Sequence, residues 1–157
     1  MYSAGIDIVD IKRIEKSTSN NRFLNRIFSK KELDFFSSKK NPYPSIAGNW
    51  AAKEAFSKAI GTGVKGFSLN EVSVLRYDNG KPYIELSGKA KDITKGLLFS
   101  VSISHTDTLA TAIVISFQNE DQHKKFLHYW VFSTETNVSN SLILNKHKFA
   151  ERCAFIL

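Results

Sequence analysis

Near its start the chain carries a β-branched apolar run, "AGIDIVDI", broken by Asp7 and Asp10, which predicts a strand leading into a helix around "DIKRIEKS". Asp7 then sits inside or at the end of that strand. In "NRFLNRIFS" the apolar positions Phe23, Leu24, Ile27 and Phe28 recur at helical spacing, while Arg22 and Arg26 fall four apart on the other side. The predicted exposed face of this helix is basic. Ser29, followed three residues later by Glu32, is a capping box opening a further helix over "KKELDFFSS", and "PYP" at 42–44 places a turn before the next element. That next helix is predicted over about 45–60, with Ala47, Ala51, Ala55 and Ala59 offering a neighbour a close approach and Gly61 ending it.

Beyond Gly61 the hydrophobic period changes from helical to alternating. "VSVLRY" and "PYIELSG" flank "DNGK", and Asn-Gly between strand-like runs predicts a hairpin. A short helical piece, "KAKDITKG", is followed by two more strands, "FSVSISH" and "LATAIVISF", joined by the polar turn "TDT". Helices first and antiparallel strands later predict an α+β domain over 1–117. From Gln118 onward Asn, Lys, His and Ser dominate and no strict periodicity survives, so 118–157 is expected to be an appendage.

Composition narrows the picture. A chain of 157 residues with 42% hydrophobic content is enough for one domain with a real core. Twenty-two basic residues against 15 acidic ones, a net charge of +7, favour an anionic partner without choosing one. The single cysteine, Cys153, excludes an internal disulfide and any multi-cysteine metal site. No stretch approaches the roughly 20 apolar residues of a membrane span. A cytoplasmic protein without a cleaved signal is expected.

The segment "WAAKEAFSKAIGTG" places Glu54 and Lys58 four apart on one helix face, with Trp50 a turn earlier on the same side. By itself this is a surface ion pair worth about 0.3–0.5 kcal/mol. Asp7 changes the weighing, because a carboxylate in a β-branched strand needs a cation or donor. One carboxylate from a strand and one from a helix would suit Mg²⁺, which takes one or two protein oxygens and completes its shell with water and phosphate. Alternatively, Asp7 is a helix N-terminal charge. His105 ends "SVSISH" where a strand meets a turn, and Ser102 and Ser104 share one sheet face, toward a ligand or toward water. "GTGVKG" follows a helix and lacks the Lys-Ser/Thr of a P-loop. Neither a Gly-x-Ser-x-Gly elbow nor a zinc helix is present, so acyl-enzyme and zinc chemistry are disfavoured.

In order and spacing, "GIDIVDIKRI", "WAAKEAFSKAIGTG", "DNGKPYIEL" and "SVSISHT" resemble the small 4'-phosphopantetheinyl transferases, the holo-acyl-carrier-protein synthase family, over about residues 1–117. The resemblance implies Mg²⁺-dependent transfer of the 4'-phosphopantetheine arm from coenzyme A to a serine of apo acyl carrier protein, in fatty acid biosynthesis. It further implies a homotrimer with active sites between subunits, and a metal held by Asp7 and Glu54. Lys58 would meet coenzyme A phosphate or the carrier protein, and His105 would lie beside the nucleotide. Gly61, Gly63 and Ser104, within the same motifs, are assigned to the coenzyme A side of the site.

Serine attack on the β-phosphate needs charge neutralisation and a path for the hydroxyl proton, with Glu54 or a metal-bound water as the base. Acyl carrier proteins are acidic, and the basic segment over 12–31, including Arg13, Arg22 and Arg26, has the right sign to dock one. A basic nucleic-acid-binding module would explain the charge but leave Asp7, Glu54 and "SISH" without a task, so no nucleic-acid partner is expected. An inactive, tail-altered family member is the other alternative.

Overall fold

The computed structural model describes residues 2–18 and 21–118. The expected appendage lies outside the described residues, apart from Gln118. Three strands, β1 (Tyr2–Asp10), β4 (Leu97–His105) and β5 (Leu109–Gln118), form an antiparallel sheet in the order β1-β5-β4. Between β1 and β4 run helices α1 (Ile11–Ser17), α2 (Asn21–Ile27), α3 (Lys30–Ser37) and α4 (Tyr43–Ala59), the hairpin of β2 (Val72–Arg76) with β3 (Pro82–Leu86), and helix α5 (Gly88–Ile93). The α+β class and every predicted helix and strand are present.

Local chemistry accounts for most of the boundaries. Asp10 caps α1 by accepting the Arg13 backbone N–H at 2.8 Å, and Ser29 and Glu32 form both halves of the capping box of α3. Asn79 and Gly80, with φ +83° at the glycine, turn the hairpin. Gly61 follows α4 at φ +74°, its N–H reaching the Lys58 carbonyl at 3.1 Å. One boundary differs: α4 starts at Tyr43, two residues before the expected start. Pro44 lies in its first turn, where the missing N–H has no intrahelical partner to lose. The "PYP" segment starts the helix instead of separating it from α3.

The sheet has two unlike faces. Pairing sets Ile6 opposite Ile113 and Ser102, and sets Asp7 opposite Ala112 and Ile103. Gly5, Asp7, Val9, Ala112, Val114, Val101 and Ile103 therefore share the face that α4 covers. Ala51, Ala55 and Ala59 of α4 are buried there with Phe56, Val101 and Val114. At Gly5 the strand and helix nearly touch: a Cβ there would stand 2.0 Å from the Ala55 carbonyl oxygen and 2.6 Å from the Ala59 nitrogen, so no side chain fits. The alanine stripe thus allows the predicted close approach, and the approach carries Asp7 to the last two turns of α4.

A second cluster joins Ile11, Ile14, Ile27, Phe36 and Ile46 of the four helices with Phe28 from the turn between α2 and α3. Beside it lies a buried polar network. Glu32, Asn49 and Lys53 are each fully buried. The Lys53 Nζ donates to Glu32 Oε2 at 2.8 Å, to the Leu69 carbonyl at 3.0 Å and to the Val72 carbonyl, and sits 5.3 Å from the centre of the Phe28 ring. Glu32 Oε1 accepts from Asn49 Nδ2 and from the Val74 N–H. These bonds fix α3, α4 and β2 to one another.

Candidate active site

Where β1 leads into α1 beside the middle of α4, there is an open cleft of about 410 Å³ lined by Asp7, Asp10, Arg13, Phe23, Trp50 and Glu54 among others. Each wall has a local cause. Asp7 faces α4 because Gly5, two residues earlier on the same face, lets the helix in. Glu54 and Trp50 come from one side of α4, and Trp50 is held by stacking on Phe23 with ring centres 5.5 Å apart. Asp10 is committed to its cap, which removes the need for Asp7 to serve as the helix N-terminal charge.

Two carboxylates therefore meet beside one ammonium. The Lys58 Nζ donates to Asp7 Oδ1 at 2.9 Å and to the Ile6 carbonyl at 2.8 Å, so the ion pair of Lys58 runs across to β1 and not along α4 to Glu54. Partial burial pushes the Glu54 carboxyl above its ordinary value, the Asp7 charge pushes it further, and Lys58 opposes both. Among the described residues no group of three or more His, Cys, Asp or Glu side chains is placed to hold a metal. A pair of carboxylates at an open cleft is the donor set of a cation that also takes water and phosphate oxygens, so Asp7 and Glu54 fit Mg²⁺.

The shifted carboxyl gives a test that needs no substrate. Because the folded-state value of Glu54 lies above its ordinary 4.5, the folded protein holds that proton more tightly. The penalty is fully present above the raised value and fades as pH falls through it. Glu54→Gln is therefore expected to raise the melting temperature at pH 8 in chelator by roughly a degree or two. The gain should disappear below pH 4.5. A variant less stable than wild type at pH 8 would contradict this account of the site.

A second cleft, of about 440 Å³, is lined by Phe35, Lys39, Arg76, Tyr77, Pro82 and His105 among others. His105 closes β4 on the α4 side of the sheet, with Nδ1 3.3 Å from the Thr106 carbonyl oxygen. Asp7, Glu54, Lys58 and Arg13 are thus brought together, whereas His105 occupies a different cleft of the same chain. Ser104 does not join His105: adjacent strand residues point to opposite faces, and Ser104 pairs with Thr111 on the outer face. Ser102, opposite Ile113, shares that face. Gly61 and Gly63 lie in the turn after α4 at φ +74° and +59°, with open space where a Cβ would stand. Arg22 and Arg26 are exposed on α2.

Sequence reading missed Lys53, Asn49, Arg76 and Tyr77. Asn49, Lys53 and Ser57 recur at a spacing of four among alanines, a polar row along one helix face, which is the signal that was available. Arg76 is bound to that same row, donating through Nη2 to Asn49 Oδ1 at 3.0 Å.

Residues 3–114 match the family model of the 4'-phosphopantetheinyl transferase superfamily. A holo-[acyl-carrier-protein] synthase from Thermoanaerobacter sp. is 42% identical over 120 residues, covering 74% of this chain and 87% of that protein. One from Clostridium botulinum is 44% identical over 115 residues, covering 70% and 94%. Among solved structures, a holo-(acyl-carrier-protein) synthase from Bacillus anthracis in complex with CoA (3',5'-ADP) is similar at TM-score 0.66 and 34% identity, covering 74% of this chain and 96% of that one. The Helicobacter pylori enzyme in complex with coenzyme A is similar at TM-score 0.65 and 37% identity, with coverage of 73% and 99%.

Proposed function

The chain belongs to the 4'-phosphopantetheinyl transferase superfamily, and from that premise we propose that it moves the 4'-phosphopantetheine arm of coenzyme A onto a serine of apo acyl carrier protein, in fatty acid biosynthesis in the cytoplasm. The observation that carries the reading is the meeting of Asp7 and Glu54 beside Lys58 in a cleft that also holds Arg13. The relatives named as synthases, and their complexes with coenzyme A, supply the substrate pair.

In the reaction the serine Oγ bonds to the β-phosphorus of coenzyme A, the phosphorus bond to the 3',5'-bisphosphate nucleotide breaks, and the hydroxyl proton must leave. Mg²⁺ held by Asp7 and Glu54 would neutralise charge on the pyrophosphate. Glu54, at the carboxylate pair, is placed to take it from the serine, either directly or through water. The Lys58 ammonium stands next to the carboxylate pair and can donate to a phosphate oxygen. Arg13 at the cleft and Arg26 on exposed α2 give an acidic carrier an electrostatic approach to the site.

A homotrimer accords with the outer sheet face. Ile6 and Ile8 are each 63% exposed and Ile113 and Ile115 each 39%, a contiguous apolar surface that a further copy of the chain would cover. Such an assembly also gives the separated clefts a common purpose, with the His105 cleft of one subunit receiving the nucleotide of coenzyme A bound at the carboxylates of the next.

The deciding experiment is mass spectrometry of apo acyl carrier protein incubated with the full chain, Mg²⁺ and coenzyme A. A gain of one phosphopantetheine on the carrier is expected, and an unmodified carrier with a protein that binds coenzyme A would reject the transferase reading. In the same assay, the double variant Arg13→Glu/Arg26→Glu is expected to raise the KM for carrier roughly tenfold while leaving that for coenzyme A within about twofold. Equal changes in both would remove the arginines from docking.

A further inference from the structure

We propose that Lys58 is a built-in counter-ion that occupies Asp7 until a divalent cation displaces it, so that loading the cation and freeing the lysine for phosphate are a single exchange. The inference rests on the reading above in which Asp7 and Glu54 are the cation ligands.

The packing of β1 on α4 puts the lysine there. At Gly5 the strand is so close that a Cβ would meet Lys58 Cβ at 2.9 Å, which leaves the lysine stem to run along β1 toward the carboxylate two residues on. Its ammonium ends between two acceptors of β1, the Ile6 carbonyl at 2.8 Å and Asp7 Oδ1 at 2.9 Å. One of those is a backbone atom that no cation takes away, and the other is the proposed ligand.

The exchange follows from charge and exposure. Glu54 feels both Asp7 and Lys58, so all three groups share one field. A divalent cation on Asp7 and Glu54 satisfies both carboxylates and repels the neighbouring ammonium, which keeps only its bond to Ile6. The Lys58 side chain is 52% exposed while that of Asp7 is 18% exposed, so the lysine can swing outward but the aspartate stays. A lysine ammonium has three donors and two are used here, so an outward swing carries a compact point charge into the cleft mouth with its donors available. Held in place, it relieves the repulsion between two carboxylates. Released, it faces the phosphate.

The test is calorimetric titration of MgCl₂ into the full chain without coenzyme A, comparing wild type, Lys58→Met, Lys58→Arg and Asp7→Asn. Lys58→Met should bind Mg²⁺ roughly threefold or more tightly than wild type, with the difference shrinking as salt rises. Lys58→Arg, which restores a cation at the same place, should pull the affinity back toward wild type. A second readout keeps the native lysine: in protein carrying ¹³C,¹⁵N-labelled lysines, the Lys58 Cε–Nζ resonance should shift on adding Mg²⁺ to wild type and stay still in Asp7→Asn. Equal or weaker binding by Lys58→Met, or a Lys58 resonance unmoved at saturating Mg²⁺, overturns the exchange and leaves the carboxylate site standing. If wild type and Lys58→Met both fail to bind Mg²⁺, or bind it as Asp7→Asn does, the cation reading of the site and the exchange fall together.

Discussion

With Asp7 changed to asparagine, transfer of the phosphopantetheine arm is expected to fall by about 10³-fold, with most of the loss in kcat and the protein still folded. The substitution preserves shape and removes one charge. The backbone contacts that hold the position do not involve the carboxylate: Thr111 Oγ1 donates to the Asp7 carbonyl at 2.8 Å, and the strand pairing opposite Ala112 is untouched. Lys58 keeps its bond to the Ile6 carbonyl. What disappears is half of the carboxylate pair, and with it the charge that neutralises a pyrophosphate through a shared cation. Asp10→Asn is the matched control. It lines the same cleft three residues away, but its task is to cap α1, and asparagine caps a helix as well as aspartate does. Activity of Asp7→Asn within tenfold of wild type at ordinary Mg²⁺, or an equal loss in Asp10→Asn, would remove Asp7 from the site.

The features that were legible in the sequence are those decided by a few adjacent residues. Ser29 with Glu32, Asn79 with Gly80, and Gly61 after an alanine-striped helix each specify local backbone geometry, and each element formed where that chemistry placed it. Pro44 misled because a proline between two helical runs is as compatible with a first turn as with a linker, and only the fold decides between them. Which face of β1 is buried was not legible. Ile6 and Ile8 are as apolar as Val9, so alternation alone does not say that the isoleucines face outward and Asp7 inward. Gly5 decides it, through a contact with Ala55 that lies 50 positions away in the chain.

The same limit applies to the site. Glu54 and Lys58 at a spacing of four suggest a pair on one helix, yet the lysine turns to Asp7 because β1 lies against the helix at that turn. His105 and Ser104 are adjacent in the chain and point to opposite faces of the sheet. Adjacency in sequence therefore grouped residues that strand geometry separates. The fold joins Asp7 to Glu54 across 47 residues, a pairing that carboxylate chemistry and the motif resemblance suggested and that spacing along the chain could not.

Lys53→Met is expected to destabilise the protein by about 3–5 kcal/mol, read as a lower urea midpoint at an unchanged slope. A lysine inside an alanine-rich helix suggests a solvated residue, but here it is fully buried, and burial pushes its ammonium below the ordinary lysine value more strongly than Glu32 raises it. The pair is thus a poor stabiliser by comparison with an apolar filling. Breaking it is worse, because methionine leaves the Glu32 carboxylate at zero exposure with neutral donors alone in direct contact, Asn49, Ser29 and the Val74 N–H, and its nearest remaining cation, Arg76, one residue removed behind Asn49. It also takes a donor from the Val72 carbonyl and leaves the Leu69 carbonyl with only the Val72 N–H. Lys53→Met/Glu32→Gln should recover part of the loss, since the glutamine oxygen still accepts from Asn49 and the Val74 N–H and carries no charge, while its amide gives up only the acceptor for Ser29, and a recovery of this kind distinguishes an unbalanced charge from a simple cavity. Since Lys53 precedes Glu54 on α4 and anchors that helix to α3 and β2, the double variant also tests whether a neutral anchor holds Glu54 in register: kcat near wild type would show that shape suffices. A single variant that costs less than about 1 kcal/mol would mean that the buried charge does not explain the network.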